Sequence, residues 1–267
     1  MNTTKKMYIG GELIPGSGMR DVDNPATEEV IGEVAWASSI EAEAALQAAK
    51  AALSGWGKTP IAERAAWMEK LREAVIENEA HLLDCIHLEM GKSMKNAKED
   101  TQMLIDALHF FAEEIQRVRP EVLPDMQGTH EHKLVHEPVG VVVAFLAWNF
   151  PLLNLAYKIG PAMAAGCPII IKPSSQTPLS AYAVGELCQK IGLPAGVVNV
   201  LCGPGAEIGD HLSASPIPAM LTLIGSTNTG KHIMKVGATS IKRYSRELGG
   251  NAPVLVFEDA DLDLAAD

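Results

Sequence analysis

Three absences narrow what this 267-residue chain can be. It lacks a long apolar run. The longest, around VGVVVAFLAW, is far shorter than the roughly 20 residues a membrane helix needs, and the opening MNTTKKMYIGGELIPGSG holds no apolar segment of the signal-peptide kind. It lacks a disulfide framework: Cys85, Cys167, Cys188 and Cys202 are scattered, with no CxxC pair, as reduced thiols of a cytoplasmic protein would be. It lacks an excess of positive charge. With 22 Lys and Arg against 33 Asp and Glu, the net charge of -11 offers no basic field for a phosphate backbone. The expectation is a soluble cytoplasmic protein with no nucleic-acid or membrane partner.

Low-complexity segments are absent too, and what remains has a clear order. Residues 8–35 place the turn dipeptides Gly10-Gly11, Pro15-Gly16 and Asn24-Pro25 between short apolar runs, a β-rich start. From Ser38 the chain turns helical: SSIEAEAALQAAKAAL opens with capping serines and first-turn acids. Two more helical stretches are expected over about 61–90 and 93–117, the second ending before Pro120. PEVLPDMQGTHEHKLVHEP then reads as a hairpin or projecting arm. Beyond it, buried strands alternate with amphipathic helices: GVVVAFLAW with PLLNLAYKIGPAMAAG, PIIIK with PLSAYAVGELCQKIG, VVNVLCG with AEIGDHLSAS, and MLTLIG with NTGKHIMKVGA. Short continuous apolar runs in that rhythm predict an α/β fold, a Rossmann-like open parallel sheet covered by helices on both faces. The expected division is 1–120, a hairpin at 121–138, and βα units over 139–267.

Two glycine-rich stretches are near misses. GSTNTGKHIM has the spacing of an ATP-binding loop but carries His232 where that loop needs a Ser or Thr for Mg²⁺. GPGAEIG, with Gly203, Gly205 and Gly209, is one residue too long for the dinucleotide fingerprint GxGxxG. A strand-to-helix turn at Gly225 still favours an anion, because free N–H groups and the helix dipole point at it. From these residues alone, a cofactor-phosphate site, a plain glycine turn and an ATP site all stand.

Five motifs in order change the balance: FLAWNFPL (145–152), IIIKPSSQTPLSA (169–181), GLPAGVVNVLCGPG (192–205), LTLIGSTNTGK (221–231) and RELGGNAPVLVFEDADLDLA (246–265). With NPATEEVIGEV, Trp56, Arg64 and LEMGK (88–92), they resemble the aldehyde dehydrogenase superfamily over essentially the whole chain. The resemblance implies NAD or NADP as cofactor, with Gly225 and Ser226 facing the pyrophosphate and Gly205, Gly209 and Leu248 beside the dinucleotide. Trp148 is implied to pack by the cofactor, an ordinary core Trp being the other reading. Asn149 matches the amide that stabilises the oxyanion, and Glu247 matches the carboxylate that activates water, a task suited to a buried acid. Lys158 matches a lysine that tunes or relays for that glutamate. Lys172 and Ser175 match positions at the adenosine ribose. Ser175 replaces the Glu of many NAD-preferring members and so removes a charge that repels a 2′-phosphate; NADP is expected to be at least accepted.

The resemblance further implies a small aldehyde as substrate, a homo-oligomer joined through the hairpin, and an attacking cysteine thiolate. That thiolate would lie past Asp267, and none of the four cysteines has its context. The expectation is that these 267 residues carry the cofactor half, the oxyanion amide and the general base, and alone oxidise no aldehyde. A catalytically silent nucleotide-binding or assembly module is the alternative, with a P-loop phosphotransferase behind it. No metal site is expected: His130 and His132 share a strand face, but as part of the hairpin. His81 and Cys85 are expected to pack within a helix.

Overall fold

A computed structural model describes residues 3–266. Strands β1 (Thr3–Lys5), β2 (Met7–Ile9), β3 (Glu12–Ile14), β4 (Gly18–Asp23) and β5 (Val30–Trp36) come first, turned by Gly10 and Gly11, both at positive φ. Helices α1 (Ser39–Trp56), α2 (Ile61–Glu77), α3 (Glu79–Met90) and α4 (Met94–Glu114) follow. Ser38 opens α1 with a full capping box: its hydroxyl accepts from Ile40 N while Glu41 accepts from Ser38 N at 2.7 Å. The single helix expected over 61–90 is two, broken at Asn78, whose side-chain amide bonds the carbonyl of Ala74 at 2.7 Å and ends α2.

The hairpin is β6 (Glu121–Leu123) paired antiparallel with β7 (His132–Leu134), and it stands off the body with its residues exposed. The βα units are β8 (Val141–Phe145), α5 (Pro151–Ala164), β9 (Ile169–Lys172), α6 (Leu179–Lys190), β10 (Val198–Val200), α7 (Asp210–Ala214), β11 (Pro218–Gly225) and α8 (Thr227–Gly237). Before α7 the chain makes one wide turn, Gly205–Gly209, with π-helical bonding. Two further elements close the described chain: β12 (Arg243–Leu248) and α9 (Leu262–Ala266).

The main sheet has the order β12-β11-β8-β9-β10-β2-β3. From β12 to β10 all pairs are parallel; β2 and β3 add an antiparallel edge. The expected parallel sheet is therefore a mixed one, extended by the N-terminal hairpin. Buried Ile169, Ile170 and Ile171 in β9, and Val141 to Phe145 in β8, explain why their apolar runs are continuous: both faces are covered. Helices α1, α7 and α8 lie on one face, α5 and α6 on the other, with α2, α3 and α4 packed outside them.

Candidate functional site

Strands β8, β9 and β11 finish side by side, and the segments after them enclose a cleft of about 1160 Å³. Ligands of open α/β sheets bind in such a crevice, outside the carboxyl ends of the strands. Trp148, Asn149, Lys172, Ser175, Gly205, Gly209, Gly225, Ser226, Glu247 and Leu248 all line it. Lys158 reaches it through Glu247. Trp148 is 53% exposed, so it is a cleft residue and not a core tryptophan.

At the middle of the cleft stands the start of α8. Ser226 caps it, its hydroxyl accepting from Thr229 N at 3.1 Å. The N–H groups of Thr227 and Asn228 belong to the first turn and have no acceptor within the helix. Together with the helix dipole they make this end electropositive. Gly205 faces the same space, where an added Cβ would meet no protein atom within 4 Å and would fill the cleft itself. At one side Lys172 supplies an ammonium and Ser174 and Ser175 supply hydroxyls. This donor set suits an extended anionic ligand.

At the other side two partnerships meet on α5. Glu247, at the end of β12, sits 2.5 Å through Oε1 from Lys158 Nζ. The lysine side chain is 5% exposed and the glutamate 50%. A buried ammonium requires such an acceptor. The deep burial that would suit a general base is not supplied to Glu247 by the described residues. Asn149 precedes α5, and its Oδ1 accepts from Nδ2 of Asn154 at 3.3 Å.

The start of α5 is itself fixed from behind. Asp100 on α4, fully inside the protein, accepts from Leu153 N at 2.7 Å and pairs at 2.9 Å with Lys92, which is also buried. Lys92 Nζ also lies 3.3 Å from the centroid of the Phe150 ring. Burial pushes Asp100 upward, against the pull of Lys92. Glu89 does the same for α6, accepting from Leu179 N, Ser180 N and the Ser180 hydroxyl.

None of the cysteines lines the cleft, and all four are buried. Burial pushes the thiols of Cys85 and Cys188 up to about 12 and raises Cys202 as well, which holds them as unreactive thiols. His130 and His132 stack with ring centroids 6.2 Å apart on the exposed hairpin. His81 Nε2 lies 3.1 Å from Lys5 Nζ and 3.7 Å from Cys85, within the α3 packing.

The sequence motifs did not mark Ser174, Asp210 or Asn154 as site residues, and marked His232 only as the residue out of place in an ATP loop. Ser174 lines the cleft beside Ser175. His232 and Asp210 join α8 to α7 across it at 2.7 Å. Asn154 was visible as the one amide in an apolar helix, four residues before Lys158.

The model of the aldehyde dehydrogenase family matches residues 15–267. The chain belongs to that family. Glutarate-semialdehyde dehydrogenase of Pseudomonas aeruginosa is 40% identical over 265 residues, covering 98% of this chain and 55% of the relative. The NADP(+) succinate-semialdehyde dehydrogenase of Escherichia coli K12 is 39% identical over 265 residues, with the same coverage. Betaine aldehyde dehydrogenase from Staphylococcus aureus, solved in complex with NAD+, superposes with a TM-score of 0.92 at 34% identity, over 98% of this chain and 53% of that one. This aldehyde dehydrogenase chain thus spans about half the length of the relatives it matches.

Proposed function

We propose that these residues form the cofactor-binding half of an enzyme that oxidises a small aldehyde to its acid with NAD or NADP. The reading is carried by one observation: the same cleft joins the electropositive start of α8 to the Lys158–Glu247 pair and the Asn149 amide. Gly225, Ser226, Thr227 and Asn228 would take the pyrophosphate, and Gly205, Gly209 and Leu248 the walls around it. Lys172 and Ser175 would take the adenosine ribose, and Trp148 would pack beside the dinucleotide. Relatives described with NADP(+) and with NAD+ are both compatible with Ser175, which carries no charge.

When bound, the nicotinamide ring accepts the hydride. The residues of this chain do the rest that falls to it. Asn149 donates a hydrogen bond to the substrate oxygen as that oxygen gains charge. Glu247 would take a proton from the water that releases the acid, and Lys158, donating to it at 2.5 Å, would orient that carboxylate and pair with its ionised form. No described cysteine reaches the cleft, so the 267 residues by themselves supply no thiolate and turn over no aldehyde. The semialdehyde relatives make a short aldehyde bearing a carboxylate the favoured substrate class. The exposed hairpin is the face through which copies would assemble, in the cytoplasm.

Calorimetry with NAD⁺ and NADP⁺, alongside reduced-cofactor absorbance with an aldehyde panel, tests this. Binding of a dinucleotide without turnover is expected. A chain that binds neither cofactor, or that hydrolyses ATP with Mg²⁺, would overturn the proposal.

A further inference from the structure

Helix α5 is apolar almost throughout, yet two of its buried residues are polar: Asn154, 3% exposed, and Lys158, 6% exposed. They are four residues apart, so they lie one above the other on the same face of the helix. Each reaches out of α5 to one of the two groups assigned to the chemistry: Lys158 to Glu247, and Asn154 to Asn149.

The orientation of both amides follows from a backbone carbonyl. Nδ2 of Asn154 lies 3.2 Å from the oxygen of Ala147, which can only accept. The NH2 of Asn154 therefore faces the segment that precedes α5, and its second hydrogen points at Asn149, 3.3 Å away. Asn149 must answer with its own oxygen. Its NH2 is then left free and turned away from Asn154, on a residue that lines the cleft.

We propose that Asn154 is the positioning residue that holds the Asn149 carboxamide with its two donors toward the cleft. The proposal rests on the assignment of Asn149 as the oxyanion donor. A donor that contributes to an oxyanion site must be oriented before charge develops, since a freely turning carboxamide presents its oxygen, which repels that charge, half of the time. Asn154 removes that alternative by occupying the oxygen. Its anchor, Ala147, lies between β8 and Asn149 and ties the amide to the central sheet.

The test uses ¹⁵N nuclear magnetic resonance on the 267-residue chain, with the Asn149 side-chain signals assigned by their loss in Asn149→Ser. In the unsubstituted chain the Asn149 amide should be as ordered as rigid backbone, with an order parameter of about 0.85. In Asn154→Leu it should fall below about 0.6, while the melting transition stays cooperative. Asn154→Asp keeps the shape and, when ionised, replaces the donor by an acceptor; it should turn Asn149 round, so that its NH2 protons show contacts to residue 154 and lose those to the cleft. A mobile Asn149 amide in the unsubstituted chain overturns the proposal without any variant. So does an amide whose order and contacts are unchanged in both folded variants. The readout uses neither cofactor nor aldehyde: an ordered, Asn154-dependent amide in a chain that binds no dinucleotide would sink the functional assignment and leave the positioning intact.

Discussion

Inside the protein the carboxyl of Glu89 receives three donors but, among the described residues, no cation, and burial pushes it from 4.5 up to about 7. Between those two values the folded chain keeps a proton that the unfolded chain has released. The folded state therefore binds more protons, and stability falls as pH rises through about 4.5 to 7, then levels off. The full effect is on the order of 3 kcal/mol. Glu89→Gln cannot ionise, so thermal melts at fixed ionic strength should show the unsubstituted chain losing stability relative to the variant from pH 5 to pH 8; parallel curves would mean that Glu89 does not titrate there. Ser175 gives a second residue-scale outcome. A carboxylate within about 4 Å of a 2′-phosphate would cost several kcal/mol at an intermediate dielectric. Ser175→Glu should weaken NADP⁺ by at least about tenfold and NAD⁺ far less. Equal loss of both in calorimetry would show that Ser175 does not discriminate.

The loop before β10 shows how tightly the elements are set against one another. Gly196 has φ +77°, and an added Cβ would run into the carbonyl of Ala48 on α1, standing 2.8 Å from its carbon. Gly196→Ala is both strained and overpacked, and should cost at least about 2 kcal/mol in urea denaturation; a smaller loss would mean α1 is free to shift. Such close approaches are not legible in a sequence, although the βα rhythm is. The continuous runs of β8 and β9 announced buried strands because both faces are covered. RYSREL did not announce β12, because that strand is an exposed edge with little apolar content. In the same way GAEIG gave no sign of its wide π turn, which buries Ile208 and runs straight into α7. The cleft residues were legible as motifs, whereas their pairings were not: Lys158 and Glu247 stand 89 positions apart, and only the order of β8, β11 and β12 brings them together.

At the scale of the whole molecule, the sheet ends in an open edge at β12, and the segment that follows it exposes many apolar side chains. Beyond the edge strand β12, Val254, Leu255, Val256 and Phe257 are exposed, as are Leu262 and Leu264 of α9 and Leu248 at the rim of the cleft. Large apolar side chains exposed in this number favour association, and β12, as a sheet edge, offers unpaired backbone groups as well. The net charge of -11 opposes association by repulsion between copies. The two effects respond differently to salt: the Debye length shrinks from about 10 Å at 0.1 M to about 3 Å at 1 M, while apolar contact is not weakened. The chain should therefore self-associate in sedimentation experiments over roughly 1–100 µM protein, and more strongly in 1 M than in 0.1 M salt. Val254→Lys with Phe257→Lys should shift it toward monomer, and dinucleotide affinity should stay within about twofold, because neither side chain lines the cleft. Val122→Lys with Leu134→Lys places the same charges on the exposed hairpin instead. If the hairpin pair alone abolishes association, the apolar segment after β12 is not its cause, and a chain that stays monomeric at 100 µM in high salt would remove that segment from consideration altogether.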